Sequence, residues 1–153
     1  PVHYIFRGLP REELLSYYRA AEIALVTPLK DGMNLIAKEY CASNWDSNGI
    51  LILSEFAGAA SQLQDGAFLV NPYHIEQVAD ILHHALHIKG EERRRRMRLL
   101  RQSIREQDIF WWVDSFLRAG ISKSLKDFPV LEEYMPQLDI EEDSDEAYVS
   151  GSD

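Results

Sequence analysis

Short apolar runs alternate with amphipathic stretches along the first ninety residues, which predicts strands alternating with helices. The expected strands are residues 2–6, 23–27, 49–53 and 68–70. Helical spacing of apolar residues follows each run, with helices expected to open near Pro10, Leu35, Ala57 and Ile75. Because the strands are apolar on both faces, the pattern predicts an α/β fold, a Rossmann-like parallel sheet flanked by helices.

The second part of the chain divides at about Ser122. Residues 91–117 are strongly basic and then aromatic, which predicts a long helix interrupted near Asp108. Residues 127–153 contain ten acidic side chains and no Lys or Arg, so they account for the net charge of −9. We therefore predict a partial Rossmann-like domain over residues 1–122 and an acidic, disordered tail over residues 123–153.

Composition narrows the class of protein. Hydrophobic residues make up 46% and charged residues 27% of the chain, which is typical of a globular domain. No apolar run reaches 18 residues and no signal-peptide pattern opens the chain, so we expect neither a membrane span nor export. The single cysteine, Cys41, excludes an internal disulfide and fits the cytoplasm. Pro1 is not an initiator Met, and we expect a longer parent chain.

Ligands of such sheets bind at the carboxyl ends of the strands. In residues 27–40 a strand ends, Asp31-Gly32 supplies a turn and a helix follows, whose N-terminus can hold phosphate. Gly32 permits close approach of a ligand, Asp31 can accept bonds from sugar hydroxyls, and Glu39 can accept bonds from vicinal hydroxyls. We expect residues 31–34 and Glu39 to line one pocket. The pattern alone leaves open an N-capping Asp31 and an ordinary surface Glu39.

Three segments, residues 27–40, 53–60 and 70–73, resemble successive signatures of the trehalose-6-phosphate synthase family of glycosyltransferases. The resemblance implies the C-terminal half of a glycosyltransferase-B arrangement, in which residues 1–122 are a partial nucleotide-sugar-binding domain. It implies a retaining transfer of glucose from UDP-glucose to glucose-6-phosphate, without a cofactor or a required metal. It also implies a chain that acts inside a longer cytoplasmic enzyme, and it leaves open a homo-oligomer.

Site residues follow from the same resemblance. Asp31 would hold the donor glucose and serve catalysis, and Glu39 would bind the uridine ribose. The sugar and diphosphate would meet mainly backbone groups of four residues: Gly32, Met33, Asn34 and Leu35. The family's acceptor site and diphosphate-binding cations would lie before Pro1, so we expect residues 1–153 alone to be inactive. Lys30 replaces a more usual Arg, and His74 replaces a more usual Asp.

Other side chains have alternative interpretations. His83 and His87 could share a metal, but no further ligand joins them in the sequence, so a metal site is disfavoured. The arginine-rich run at residues 93–105 could bind nucleic acid, but a solvated helix face is favoured because the chain outside its acidic tail is nearly neutral. The aromatic residues Phe110, Trp111, Trp112 and Phe116 are more often core, or else contacts to another domain.

The function has two alternatives that the sequence leaves open. Glucosylglycerol-phosphate synthases share the donor signatures and differ in the acceptor. A non-catalytic module that binds a nucleotide sugar or only a regulatory partner is the second alternative, and the intact Asp31, Gly32, Asn34 and Glu39 argue against a decayed donor site.

Overall fold

The computed structural model describes residues 2–121 and confirms the predicted α/β class. Six helices and three strands follow one another in an order that places a helix between successive strands. They are α1 (Arg11–Ala20), β1 (Ile23–Val26), α2 (Leu35–Ser43), β2 (Ile50–Ser54), α3 (Ala60–Leu63), β3 (Phe68–Val70), α4 (Ile75–His87), α5 (Gly90–Glu106) and α6 (Ile109–Ile121). Within this part of the chain, no helix is long and apolar enough to cross a bilayer.

The sheet is parallel throughout, in the order β1-β2-β3. Ile23 pairs with Ile50 at one end, and Ser54 pairs with Val70 at the other. All five residues of β2 are buried, because this central strand is covered on both faces. All strands therefore end at one rim, as the sequence predicted.

Alternate residues of β2 face two separate hydrophobic layers. Leu51 and Leu53 pack in the layer that includes α2, α3 and α5, where Tyr40, Met97 and Leu100 are fully buried or nearly so. Ile50 and Ile52 face the opposite layer with α4, whose buried contact is Ala85. The period of two along one strand thus supplies both cores.

The first predicted strand, residues 2–6, is wrong. Val2, Tyr4 and Phe6 are each more than four-fifths exposed, and no strand forms there. An apolar run becomes a strand only when a neighbour pairs with its backbone groups, and none of the described strands does so. The apolar pattern of residues 2–6 is therefore not sufficient to form a strand without a neighbouring strand.

The basic and aromatic region forms two helices, as predicted, separated at Gln107 and Asp108. The Asp108 carboxylate begins α6 by accepting a hydrogen bond from the Trp111 backbone N–H at 2.9 Å. No residue of α6 is buried, so the interpretation of its aromatic side chains as core is wrong. Trp112 and Phe116 stack on each other, with ring centroids 5.4 Å apart.

A buried arginine ties α5 to the remainder of the fold. The Arg93 guanidinium donates to the Glu22 carboxylate at 3.1 Å and to the Asn48 and Ala85 carbonyls at 3.5 and 3.4 Å. These partners lie before β1, before β2 and in α4. Because a buried charge is tolerated only when it is paired, this site fixes how the helices pack around the sheet.

Candidate functional site

The turn after β1 is organised by the carboxylate of Asp31. Its Oδ1 atom accepts hydrogen bonds from the backbone N–H groups of Met33 and Asn34, both at 3.0 Å, and its Oδ2 atom accepts one from the Asn34 side-chain amide at 2.9 Å. The Met33 bond and then the Asn34 bonds hold the pKa of Asp31 below its usual value. Both carboxylate oxygens of Asp31, the residue predicted to bind sugar hydroxyls, therefore also stabilise the turn.

Asn34, rather than Asp31, is the N-cap of α2, so the alternative that gave Asp31 that role is wrong. Asn34 adopts the left-handed conformation with φ of 67°, and its Oδ1 atom accepts from the Ala37 backbone N–H at 2.9 Å. Asparagine is among the few residues that tolerate this conformation, and its short side chain caps well. Asn34 is only 6% exposed, so its side chain supports the turn from the buried side.

The turn is held from the second rim loop through a close backbone contact. The Gly58 backbone N–H donates to the Asp31 carbonyl at 2.8 Å, and Asp31 forms an isolated parallel bridge with Ala57. A Cβ atom at residue 58 would lie 2.1 Å from the Gly32 carbonyl oxygen. Only glycine allows this approach, which links the two signatures at residues 27–40 and 53–60 physically.

The third rim loop joins the second. The Glu55 backbone N–H donates to the Val70 carbonyl at 3.0 Å, and the rings of Phe56 and Tyr73 meet edge to face at 6.0 Å. His74 caps α4 by accepting a hydrogen bond on Nδ1 from the Gln77 backbone N–H at 2.9 Å. The three loops that the sequence placed at one rim therefore form a continuous surface.

An open cleft of about 510 Å³ separates the Asp31–Asn34 turn from the start of α6. Gly32, Met33 and Leu35 form part of its wall, and they are three of the predicted site residues. The opposite side carries polar and aromatic residues of the break between the helices: Gln107, Asp108, Trp111 and Trp112. The cleft thus combines exposed backbone with flat apolar surface, a typical combination for a ligand site.

Lys38 is a cleft residue that the sequence interpretation missed. It follows Asn34 by one helical turn and lines the cleft beside Gly32 and Met33. Partial burial lowers the pKa of its amine. The i, i+4 spacing from the turn was the signal that could have identified this cation. A partly desolvated cation at the end of a parallel sheet is suited to an anionic ligand group.

Glu39 lies outside this cleft. Its side chain is exposed and lines a separate depression between α1 and α2, together with Arg11 and Tyr18. The Tyr18 hydroxyl donates to Glu39 Oε2 at 3.2 Å, and burial, followed by the charge of Glu39, raises the pKa of Tyr18. Of the predicted site residues, the structure therefore places three in the cleft wall: Gly32, Met33 and Leu35. Asp31 and Asn34 belong to the same turn but do not line the cleft, and Glu39 lies in the separate depression. The roles of all six residues toward a donor stay predictions.

The histidines of α4 and Cys41 form neither a metal site nor a catalytic site in the described residues. The rings of His83 and His87 lie 4.4 Å apart, but residues 2–121 contain no cluster of three or more metal-ligating side chains. Cys41 is fully buried, and burial raises the pKa of its thiol to about 12, so it is no nucleophile at neutral pH. The predicted disordered tail lies outside the described residues.

Comparison with known proteins gives a consistent result. The family model for glycosyltransferase family 20 matches residues 1–120. The trehalose-6-phosphate synthase of Mycolicibacterium gilvum (strain PYR-GCK) is 50% identical over 122 residues, which cover 80% of this chain and 24% of the relative. The chain therefore spans about a quarter of the length of the curated relatives that it matches.

Two solved structures have the same fold over the matched region. One is from E. coli with UDP-2-fluoro glucose bound (TM-score 0.73, 40% identity), and it shares 78% of this chain and 26% of its own. The other is a UDP-forming alpha,alpha-trehalose-phosphate synthase from Burkholderia xenovorans in complex with glucose-6-phosphate (TM-score 0.70, 44% identity), and it shares 76% of this chain and 26% of its own. The likeness confirms the expected Rossmann-like part of a glycosyltransferase-B arrangement.

Proposed function

Because the chain belongs to glycosyltransferase family 20, we propose that it forms the donor-binding part of a retaining glucosyltransferase. The whole enzyme would transfer glucose from UDP-glucose to glucose-6-phosphate and release trehalose-6-phosphate and UDP. Relatives matched over 80% of this chain carry the name trehalose-6-phosphate synthase, and similar structures hold a UDP-glucose analogue or glucose-6-phosphate. The single buried cysteine supports a cytoplasmic location.

The observation that carries this proposal is the way the Asp31–Asn34 turn is fixed beside an open cleft. Asp31 holds the turn from within, and Gly58 holds it from the neighbouring loop. Transfer from a nucleotide sugar develops positive charge on the sugar and negative charge on the departing diphosphate. Such a reaction is accelerated mainly by fixed position and by stabilisation of charge, and both require backbone groups that do not move.

The residues around the cleft would then have distinct roles. The backbone of Gly32 and Met33 would face the sugar and the diphosphate, with Lys38 supplying positive charge nearby. Asp31 would contact glucose hydroxyls while it keeps the turn in shape. Glu39, which already accepts a bond from Tyr18, would bind the ribose if the nucleotide extends along α2 toward the depression beside α1.

Residues 1–153 alone would bind the donor weakly and would not transfer glucose. The chain offers one wall of a cleft, and an acceptor must be held against the donor out of water. Orientation of this kind lowers a barrier by about 7–11 kcal/mol in favourable cases. A longer enzyme that supplies the second wall is therefore part of the proposal.

The test compares residues 1–153 with the longer enzyme and with two variants of it. We expect Asp31→Ala to lower turnover by about 100-fold while UDP affinity changes less, because Asp31 would contact the sugar rather than the nucleotide. Glu39→Gln should weaken UDP itself, measured by calorimetry. Glu91→Gln, on α5, is the matched control and should change neither quantity.

Four outcomes would contradict the proposal or part of it. Robust transfer by residues 1–153 would refute the need for a second wall, and a fully active Asp31→Ala enzyme would refute the site. Transfer to glycerol-3-phosphate in place of glucose-6-phosphate would identify a glucosylglycerol-phosphate synthase with the same donor site. Absence of UDP binding in every form would leave the non-catalytic module as the function.

A further inference from the structure

One face of α5 carries four arginines in a line. Arg94, Arg98, Arg101 and Arg105 are spaced by four, three and four residues, which places them along one side of a helix. At about 1.5 Å per residue this arginine ridge is about 16 Å long. Arg98 lines both shallow depressions of this face, so the ridge is continuous.

The ridge arginines form no ion pairs among residues 2–121, although Glu91, Glu92 and Glu106 line the same two depressions. The ion pairs of α5 use other arginines: Glu92 binds Arg95 and Arg96, and Glu22 binds Arg93. Within residues 2–121, no carboxylate forms an ion pair with any of the four ridge arginines. Arg101 donates to the Trp45 carbonyl at 2.8 Å, which fixes one side chain of the ridge in place.

We propose that the arginine ridge is the docking surface for the acidic segment of the same chain, residues 127–153. That segment holds ten acidic residues and no Lys or Arg, and five of the ten lie in residues 141–146. Opposite charges on one chain are present at an effective concentration of about millimolar when the linker is short and flexible. The segment lies beyond residues 1–120, to which the family model extends, so this interaction would be a property of this chain and not of its family.

The covalent connection is long enough. Glu141 lies 20 positions after Ile121, and an extended chain covers about 3.3 Å per residue, or about 66 Å. Helix α6 and the ridge together measure less than that, about 20 and about 16 Å. The connection is therefore long enough for the dense acidic stretch to meet any arginine of the ridge.

Charge also favours the acidic segment over nucleic acid as the occupant. A nucleic-acid-binding surface depends on a basic protein that gains affinity from many phosphate contacts. Here the chain outside residues 127–153 is nearly neutral, and the acidic segment would repel a polyanion from the same protein. The charge distribution therefore favours binding of the arginine ridge to the acidic segment of the same chain.

The test places a nitroxide spin label in the acidic segment and reads its proximity to α5 by nuclear magnetic resonance. The variant Ser150→Cys supplies the attachment point in the full chain of residues 1–153. The native Cys41 does not interfere, because it is fully buried and its thiol has a pKa of about 12. We expect loss of amide signal intensity at residues 94–105 relative to the same sample with the label reduced.

Two perturbations must abolish that loss. One is about 1 M salt, where the screening length falls to about 3 Å and the sequence is unchanged. The other is Arg98→Glu with Arg105→Glu, compared with Arg11→Glu plus Lys30→Glu, which changes the net charge equally and should leave the loss intact. Replacing Glu141, Glu142 and Asp143 with Gln, Gln and Asn, which removes three negative charges from the acidic segment, should reduce the signal loss at residues 94–105.

Three results would overturn the proposal. Full signal at residues 94–105 in low salt would show that the segment does not dock there. Loss that persists in high salt and in the arginine variant would show a contact without the ridge. Loss that appears when the spin label and the isotope label are on separate molecules would assign the segment to a second copy.

Discussion

An asparagine caps each end of α2, Asn34 at the N-terminus and Asn44 at the C-terminus, and the two adjoining turns differ in their exposure. At the rim, Asn34 caps the helix from a left-handed backbone and is bound by Asp31. At the other end, Asn44 accepts hydrogen bonds on Oδ1 from the backbone N–H groups of Asn48 and Gly49, at 3.0 and 2.9 Å. Both side chains are nearly buried. The turns that they hold differ, since the rim turn exposes Gly32 and Met33 while the other packs into the core.

The comparison shows that a turn held by a buried asparagine can contribute to stability or can shape a candidate ligand site. Gly49 is enclosed by Tyr40 and Asn44, so that turn is part of the folding core. At Gly58, the three atoms nearest to an added Cβ all belong to the backbone of the rim turn. A change at the first glycine should therefore affect unfolding, and a change at the second should affect the shape of the cleft.

The largest effect is expected for Gly49→Ala. The new Cβ would lie 2.3 Å from both the Tyr40 hydroxyl and the Asn44 amide nitrogen. Tyr40 cannot yield easily, because it is buried and donates to the Ala21 carbonyl at 3.1 Å. We expect a loss of about 3 kcal/mol in the free energy of unfolding, measured with urea. Gly8→Ala, which meets nothing within 4 Å, is the control, and an equal loss there would contradict the packing argument.

Gly58→Ala should separate the two ends of α2 most clearly. The Gly32 carbonyl would have to move away from the new Cβ, which breaks the hydrogen bond between the Gly58 N–H and the Asp31 carbonyl. We expect a loss of about 1 kcal/mol in unfolding and about a tenfold loss of UDP-glucose affinity in the longer enzyme. Unchanged affinity with displaced amide signals of residues 31–34 would show that the turn does not bind the donor.

The left-handed conformation of Asn34 provides a matched pair of substitutions. Asn34→Ala loses the cap and strains the backbone at φ of 67°, for an expected cost of about 1–2 kcal/mol in unfolding. Asn34→Gly loses the cap but not the backbone freedom, and it should cost less. At Asn44, where φ is −89°, glycine should bring no such relief. Equal costs for both substitutions at Asn34 would mean that its backbone conformation is unimportant.

The smallest effect is a pH dependence confined to the rim. The folded pKa of Asp31 is depressed below 3.8, so its hydrogen bonds are fully present above 3.8 and are lost as pH falls through the folded value. We expect the carboxyl carbon of Asp31 to titrate below 3.8, with the amide signals of Met33 and Asn34 shifting in parallel. In Asp31→Asn the amide shifts should be flat. Titration at or above 3.8 would contradict the proposed network.

Much of the fold was readable because it depends on local patterns. The helices from Arg11 onward and the three strands follow from apolar spacing, and the break at Asp108 follows from a capping side chain. Residues 2–6 carry the same kind of pattern and form no strand, because pairing depends on a neighbour that propensity does not reveal. The exposure of α6 has the same origin, since hydrophobicity does not specify which surface covers a helix.

The candidate site was predicted in composition and only partly in geometry. Position after a strand correctly placed residues 31–35 at the rim, and the structure then added Lys38 through helical spacing. The separation of Glu39 from the cleft could not be predicted, since it depends on how α1 packs against α2 and on the bond from Tyr18. The hydrogen bond from the Gly58 N–H to the Asp31 carbonyl could not be predicted either, because its two residues are 27 positions apart in the chain.

The buried Arg93 has a consequence for the order of synthesis. Its guanidinium binds Glu22, which lies 71 residues earlier in the chain, and it also binds the Asn48 and Ala85 carbonyls. A ribosome that adds about 5–20 residues per second therefore completes β3 about 1–5 s before Arg93 is added. When α4 is complete, one face of the sheet still lacks α5. Completion of the fold on the ribosome should thus follow the emergence of α5, and ribosome-bound chains that end before Gly90 should remain sensitive to protease.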